Sequence, residues 1–125
     1  MMAIVVNWVN DTHKTIYIRY ERFWTWADFA KAKVEIDTLL NSTSHTVNII
    51  SDSRESGGLP QGNLLSHLVQ SFQTAPSNIG QIVVVGANPM FKMALQILQT
   101  VSLNRAAQNI RFSKTLDDAN NLINS

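Results

Sequence analysis

Apolar residues recur along this chain with two periods, and the order in which the periods follow one another predicts an architecture. Residues 3–9 and 15–20 have strand character. In the second, Ile16, Ile18 and Tyr20 alternate with Tyr17 and Arg19, the period of a strand covered on one side. The polar connection Asn10-Asp11-Thr12-His13 is short enough to make the two segments antiparallel neighbours. The period then lengthens. Thr25-Trp26-Ala27-Asp28 is a capping box with Asp in place of the commoner Glu, and it opens a helix to about Leu40. Trp26, Phe29, Ala32, Ile36 and Leu39 or Leu40 share one stripe of that helix, with Lys31 and Glu35 as a solvated i,i+4 pair opposite.

From residue 46 onwards the pattern is strand then helix, repeated. Residues 46–51 form a strand, and residues 63–75 form a helix with Leu65, Leu68, Val69 and Phe72 on one side, ended by Pro76. Residues 81–85, β-branched from Ile82 onwards, do not alternate, as expected of a strand buried on both faces in the middle of a parallel sheet. Asn88-Pro89 reads as N-cap and first helical position of a helix to about Leu103. Residues 109–113 make a short strand, and Thr115-Leu116-Asp117-Asp118 caps a small last helix containing Ala119, Leu122 and Ile123. The predicted order is β-β-α-β-α-β-α-β-α. This is an α/β fold with one mixed, mostly parallel sheet of about five strands, helices on its faces and an antiparallel first strand at the edge.

Length and composition narrow the class of protein. At 125 residues with 45% hydrophobic residues, the chain is read as a single domain able to bury a core. The absence of cysteine excludes disulfides, thiolate metal sites, iron–sulfur clusters and thiol catalysis, and favours a cytoplasmic setting. Ten basic and nine acidic residues are scattered along the chain, so no footprint for nucleic acid or an anionic membrane is visible. The apolar start lacks a basic n-region and falls short of the ~18 residues of a membrane helix, so neither a leader nor a membrane span is expected.

Several segments together carry a resemblance. Trp24-Thr25-Trp26, Asn48-Ile49-Ile50-Ser51-Asp52, Ile82-Val83-Val84-Val85-Gly86 and Phe112-Ser113-Lys114-Thr115-Leu116-Asp117-Asp118-Ala119, in this order of elements, resemble the STAS-like group of small bacterial proteins. That group shares its architecture with the anti-sigma-factor antagonists and, more distantly, with CRAL-TRIO domains. The resemblance spans about the whole chain and implies a regulatory role. In the antagonists an Asp-Ser-Ser-Gly-Leu run carries a phosphoacceptor serine. The nearest match here is Glu55-Ser56-Gly57-Gly58-Leu59, which puts Gly57 at the acceptor position and leaves Ser56 beside it, so the usual phosphoacceptor serine is missing.

Open α/β sheets bind ligands beyond the carboxyl ends of their strands, and residues 51–62 and 86–89 leave that edge here. The candidate site residues are Asp52, Arg54, Ser56 and Asn88. Asp52 holds the loop or accepts a ligand hydrogen bond, and Arg54 offers a fixed positive charge. Ser56 donates beside the flexible Gly57-Gly58 backbone, and Asn88 has a competing duty as N-cap. The segment has neither a P-loop nor a dinucleotide fingerprint. His13, His45 and His67 show no metal-ligand spacing, so no metal or cofactor is expected, and each reads as surface or rim. Ser53, His67 and Asp52 can be drawn as a triad, but Ser53 lacks the G-x-S-x-G elbow. The aromatic residues Tyr20, Phe23, Trp24 and Trp26 read as core and staple more than as a ligand wall.

The helix beginning at Pro89 is the most unusual segment. Its one charge is Lys92, and its apolar positions sweep roughly 200° at ~100° per residue, about twice what a half-buried helix needs. Phe91, Met93 and Leu98 are the candidate interface residues, for a homodimer or another protein partner. Against this stands the reading in which neighbouring helices bury both flanks. With no coherent acid, base, nucleophile or metal set, the first expectation is a non-catalytic regulatory or protein-binding module. The alternative is a small-ligand protein, for an apolar or lipid-like molecule, using the crevice at the strand ends.

Overall fold

Thr25 accepts a hydrogen bond from the Asp28 backbone N–H at 3.1 Å while Asp28 accepts from the Thr25 backbone N–H at 2.8 Å, so the capping box of the sequence closes as written. The computed structural model describes residues 3–56, 60, 62–101 and 105–124. In chain order its elements are β1 (Ile4–Trp8), β2 (Thr15–Tyr20), α1 (Trp26–Asn41), β3 (Val47–Asp52) and α2 (Leu64–Gln73). There follow β4 (Ile79–Val85), α3 (Pro89–Val101), α4 (Arg105–Gln108), β5 (Ile110–Ser113) and α5 (Leu116–Asn124). Asn63 caps α2 through Ser66, Asn88 caps α3 through Phe91, and Thr115 accepts from Asp118 at the start of α5. The end of the α3 segment expected at Leu103 lies outside the described residues, as do Met1 and Met2. The short α4 is an element that periodicity did not reveal, because four residues are too few to display a period.

The five strands lie side by side in chain order, β1-β2-β3-β4-β5, with β1 antiparallel to β2 and every later neighbour parallel. This is the predicted α/β fold, with the antiparallel strand at the edge. One placement differs: β3 is the middle strand, and β4, with Ile82–Val85, is fourth. Val83 and Val85 face one core and Ile82 and Val84 the other, so the β-branched run reports two covered faces rather than a central position. The β3–β4 register shifts between Val47 and Ile49, where Asn48 Oδ1 accepts the Gln81 backbone N–H at 2.9 Å. A side chain at Gly80 would run into that same Asn48 oxygen, at 2.5 Å.

Every step from β2 to β5 moves in the same direction across the sheet. Crossovers of one hand then deliver their helices to one face. Accordingly α1, α2, α3 and α4 supply Leu40, Leu68, Phe91, Leu95, Leu98 and Ala107 to a large core with Ile16, Ile18, Ile49 and Val84. The opposite face holds a smaller cluster, Ile50, Val83 and Val85 beneath Ala119 of α5, with Tyr17, Leu116, Leu122 and Ile123 packed around it. Among the described residues no helix is long and apolar enough to cross a membrane.

Candidate functional site

Beyond the carboxyl ends of β3 and β4 the chain turns sharply, and backbone chemistry sets the turn. Gly86 adopts φ +68, a conformation that glycine takes without strain, and its N–H donates to Ser113 O at 3.0 Å. The backbone N–H and the hydroxyl of Ser53 both donate to Val85 O, at 2.9 and 3.0 Å, so the loop after β3 is tied to the end of β4. A cleft of about 80 Å³ remains, lined by Tyr20, Trp24, Ser53, Arg54, Ser56, Gly86, Asn88 and Phe91.

Arg54, Ser56 and Asn88 therefore meet in one cleft at the strand ends. Asp52 does not line it. Its side chain points to the other face of the sheet, where it sits with Tyr17, Arg19 and Glu55, and Arg54 reaches over the sheet edge to join it. Asp52 is almost wholly enclosed and receives Arg54 Nε on Oδ1 at 2.9 Å, Arg54 Nη2 on Oδ2 at 2.7 Å and Tyr17 Oη on Oδ2 at 2.5 Å. The Arg54 backbone N–H adds a fourth hydrogen bond, to Oδ1, at 3.1 Å.

These contacts decide the electrostatics. Burial alone would raise the Asp52 carboxyl, but hydrogen bonds from Arg54 and Tyr17 outweigh it and hold the group below its ordinary value of 3.8. The Tyr17 hydroxyl is pushed above its ordinary value by burial and by the Asp52 carboxylate that it donates to. Arg54 is held protonated more firmly than usual by the same carboxylate. A carboxylate whose proton affinity is lowered is a weaker general base, and a guanidinium bound through two nitrogens to one carboxylate has its charge largely matched. The trio acts as a strut.

The other polar groups of the cleft are engaged as well. Trp24 Nε1 donates to Ser56 Oγ at 2.9 Å, and Asn88 Oδ1 accepts the Phe91 N–H at 2.8 Å. Gly57 and Gly58, assigned above to the same site, lie outside the described residues. Ser53, His67 and Asp52 do not form a triad: Ser53 bonds Val85 O, Asp52 bonds Arg54 and Tyr17, and His67 stacks on Trp26 with ring centroids 4.0 Å apart. His13 stacks on Trp8 and His45 Nε2 contacts His13 O. Of the aromatic group, Tyr20 and Trp24 are buried core residues, whereas Phe23 is 83% exposed under the Arg22 guanidinium. Tyr17 is the residue that sequence reasoning placed only as outward-facing. Its partnership with Asp52 depends on the β2–β3 register, which pairs Arg19 with Asp52.

The candidate interface needs a correction. Phe91 and Leu98 are 9% and 1% exposed and belong to the large core, so neither stands on the exposed flank of α3. Of the three residues assigned there only Met93 is available, at 61% exposure, and Met90, Ile97 and Val101 join it at 68%, 43% and 65%. The wide apolar arc of α3 is thus two adjoining surfaces. One faces the core through Phe91, Leu95 and Leu98, and the other faces outwards.

No protein-family model matches the chain, and neither does any curated protein sequence.

Proposed function

We propose that this chain is a non-catalytic regulatory or protein-binding domain that works through the outer flank of α3, and that its partner on this flank is a second copy of itself. The observation that carries the reading is the line Met90, Met93, Ile97 and Val101, four large apolar side chains that are 43% to 68% exposed. Their spacing keeps them within about 80° of helix surface at ~100° per residue, a straight stripe about 16 Å long. Such a stripe is self-complementary across a two-fold axis: with two helices antiparallel, Met90 faces Val101 of the copy and Met93 faces Ile97. The stripe is uncharged, and Lys92 lies away from it with its ammonium 5.2 Å from the Phe112 ring centroid, so pairing brings no like charges together. Two methionines give the contact an adaptable surface. The STAS-like resemblance of the sequence, which implies a regulatory role, points the same way, and a cytoplasmic bacterial setting belongs to the same proposal.

Sedimentation equilibrium tests it. The expected result is a dimer at high micromolar concentration that Met93→Asp and Ile97→Asp each convert to monomer, because a charge stranded in an apolar contact is costly. Both positions are exposed, so thermal stability should change little. A monomeric wild-type protein at that concentration overturns the proposal.

A further inference from the structure

The large core is not filled throughout. Between the sheet and α2 lies a cavity of about 100 Å³ that is partly open to solvent. Its floor is Ile18, Ile49, Ile82 and Val84 of the central strands, and its walls include Leu68 and Phe72 of α2. We propose that this cavity is a binding site for one small, uncharged, apolar molecule of about benzene size, and that the molecule enters between α1 and α2. The site is separate from the outer flank of α3, and it shares Tyr20 and Phe91 with the strand-end cleft.

Size and lining fix the class of ligand. A cavity of about 150 Å³ lined by Leu, Ile and Phe stays dry and admits benzene, so the smaller space here sets a ceiling near a single ring. The lining is mainly apolar: the floor offers water no hydrogen-bond partners, and the polar members are Tyr20, Ser51, Ser71, Lys33 and Asp37. An anion would lose its hydration on this floor and meet the Asp37 carboxylate, whose Oδ1 is buried without a hydrogen-bond partner among the described residues.

The way in is built from the same residues. Above the cavity a groove runs between α1 and α2, lined by Trp26, Ala30, His67, Gln70 and Thr74, and Phe29, Lys33 and Ser71 line both groove and cavity. Those three side chains stand between solvent and the apolar floor. Lys33 is held in an ion pair with Asp37, which also lines the cavity. The Trp26–His67 stack clasps the two helices at one end of the groove, with the rings 10° from parallel. The helices can therefore part around Phe29 and Ser71 while the clasp remains closed.

Methyl NMR with benzene as the probe tests the site. Saturable shifts are expected at Ile18, Ile49, Ile82 and Leu68, while Ile50 and Ile123, in the core on the opposite face, stay fixed. Benzoate, similar in shape but anionic at neutral pH, should leave all of them unmoved, because the Asp37 carboxylate repels it. Ser71→Leu, which extends a side chain into the cavity from a half-buried helix position, should weaken benzene binding by about tenfold or more and raise the melting temperature. Ala75→Leu fills the space from another point and should do the same. The proposal fails if benzene produces no saturable shift up to its solubility limit, if Ile50 and Ile123 respond equally, or if both filled variants bind benzene as the wild type does. None of these outcomes depends on the oligomeric state.

Discussion

The two faces of the sheet are covered very differently. Among the described residues, one carries α1 to α4 and the large core, and the other carries α5 alone. The difference is topological, since strands laid down in chain order with crossovers of one hand send every crossover helix to the same side. The crowded face must fit several independent helices over one twisted surface, and beneath α2 it leaves about 100 Å³ unfilled. On the sparse face the fully buried Val83, Val85 and Ala119 pack directly. Where α5 does not reach, that face is closed by Tyr17, Arg54 and Asp52. Apolar packing thus carries the helical side, while charge pairing protects part of the other.

The strongest challenge to this contrast is a pair of truncations. Leu98→Ala, at a 1% exposed position on the helical side, should cost about 3 kcal/mol in urea unfolding, and Leu122→Ala, half-buried on α5, about 1 kcal/mol. Equal costs would mean that the thin layer matters as much as the thick one.

Next in size is Asp52→Asn, expected to cost about 2 kcal/mol at neutral pH through the loss of charge-assisted hydrogen bonds. Its pH dependence sharpens the assignment. Because the folded carboxyl titrates below 3.8, its contribution is complete above that value and disappears as the pH falls through the lower folded value. The gap between wild type and variant should therefore close in acid. The Tyr17 hydroxyl is shifted upwards, so its contribution is complete below pH 10.0 and is lost as the pH rises through the folded value. A gap that stays constant with pH would remove Asp52 from the strut.

The smallest expected effect is at the edge where Arg54 passes between the faces. Gly86→Ala places a methyl group 2.6 Å from Arg54 Cγ in a left-handed backbone conformation, and should cost about 1 kcal/mol. The loss should persist in the Asp52→Asn background, where the pull of the carboxylate on Arg54 is weakened but the backbone constraint remains. Full suppression there would show that the strain acts through the ion pair alone.

Helix caps, strand alternation and the order of elements were legible in the residues because each rests on neighbours within a few positions. Thr25 and Asp28 bond across three residues, and Ile16, Ile18 and Tyr20 share a face through the pleat alone. The same local reasoning chose Lys31 and Glu35 as the ion pair of α1, whereas the one formed is Lys33–Asp37 at the rim of the cavity. Both pairs have identical spacing, and only the packing of α1 over the sheet distinguishes them.

Of the candidate site, the sequence by itself determined that Arg54, Ser56 and Asn88 lie near the strand ends, because strand direction and loop position suffice for that. Tertiary structure decided the rest. Whether Asp52 faces the cleft depends on its pleat parity and on the strand beside it. Which half of the α3 arc is core depends on where the sheet lies, a fact no helical period contains. Periodicity records how many faces are apolar; only packing assigns each face to the core, to a cavity or to the outside.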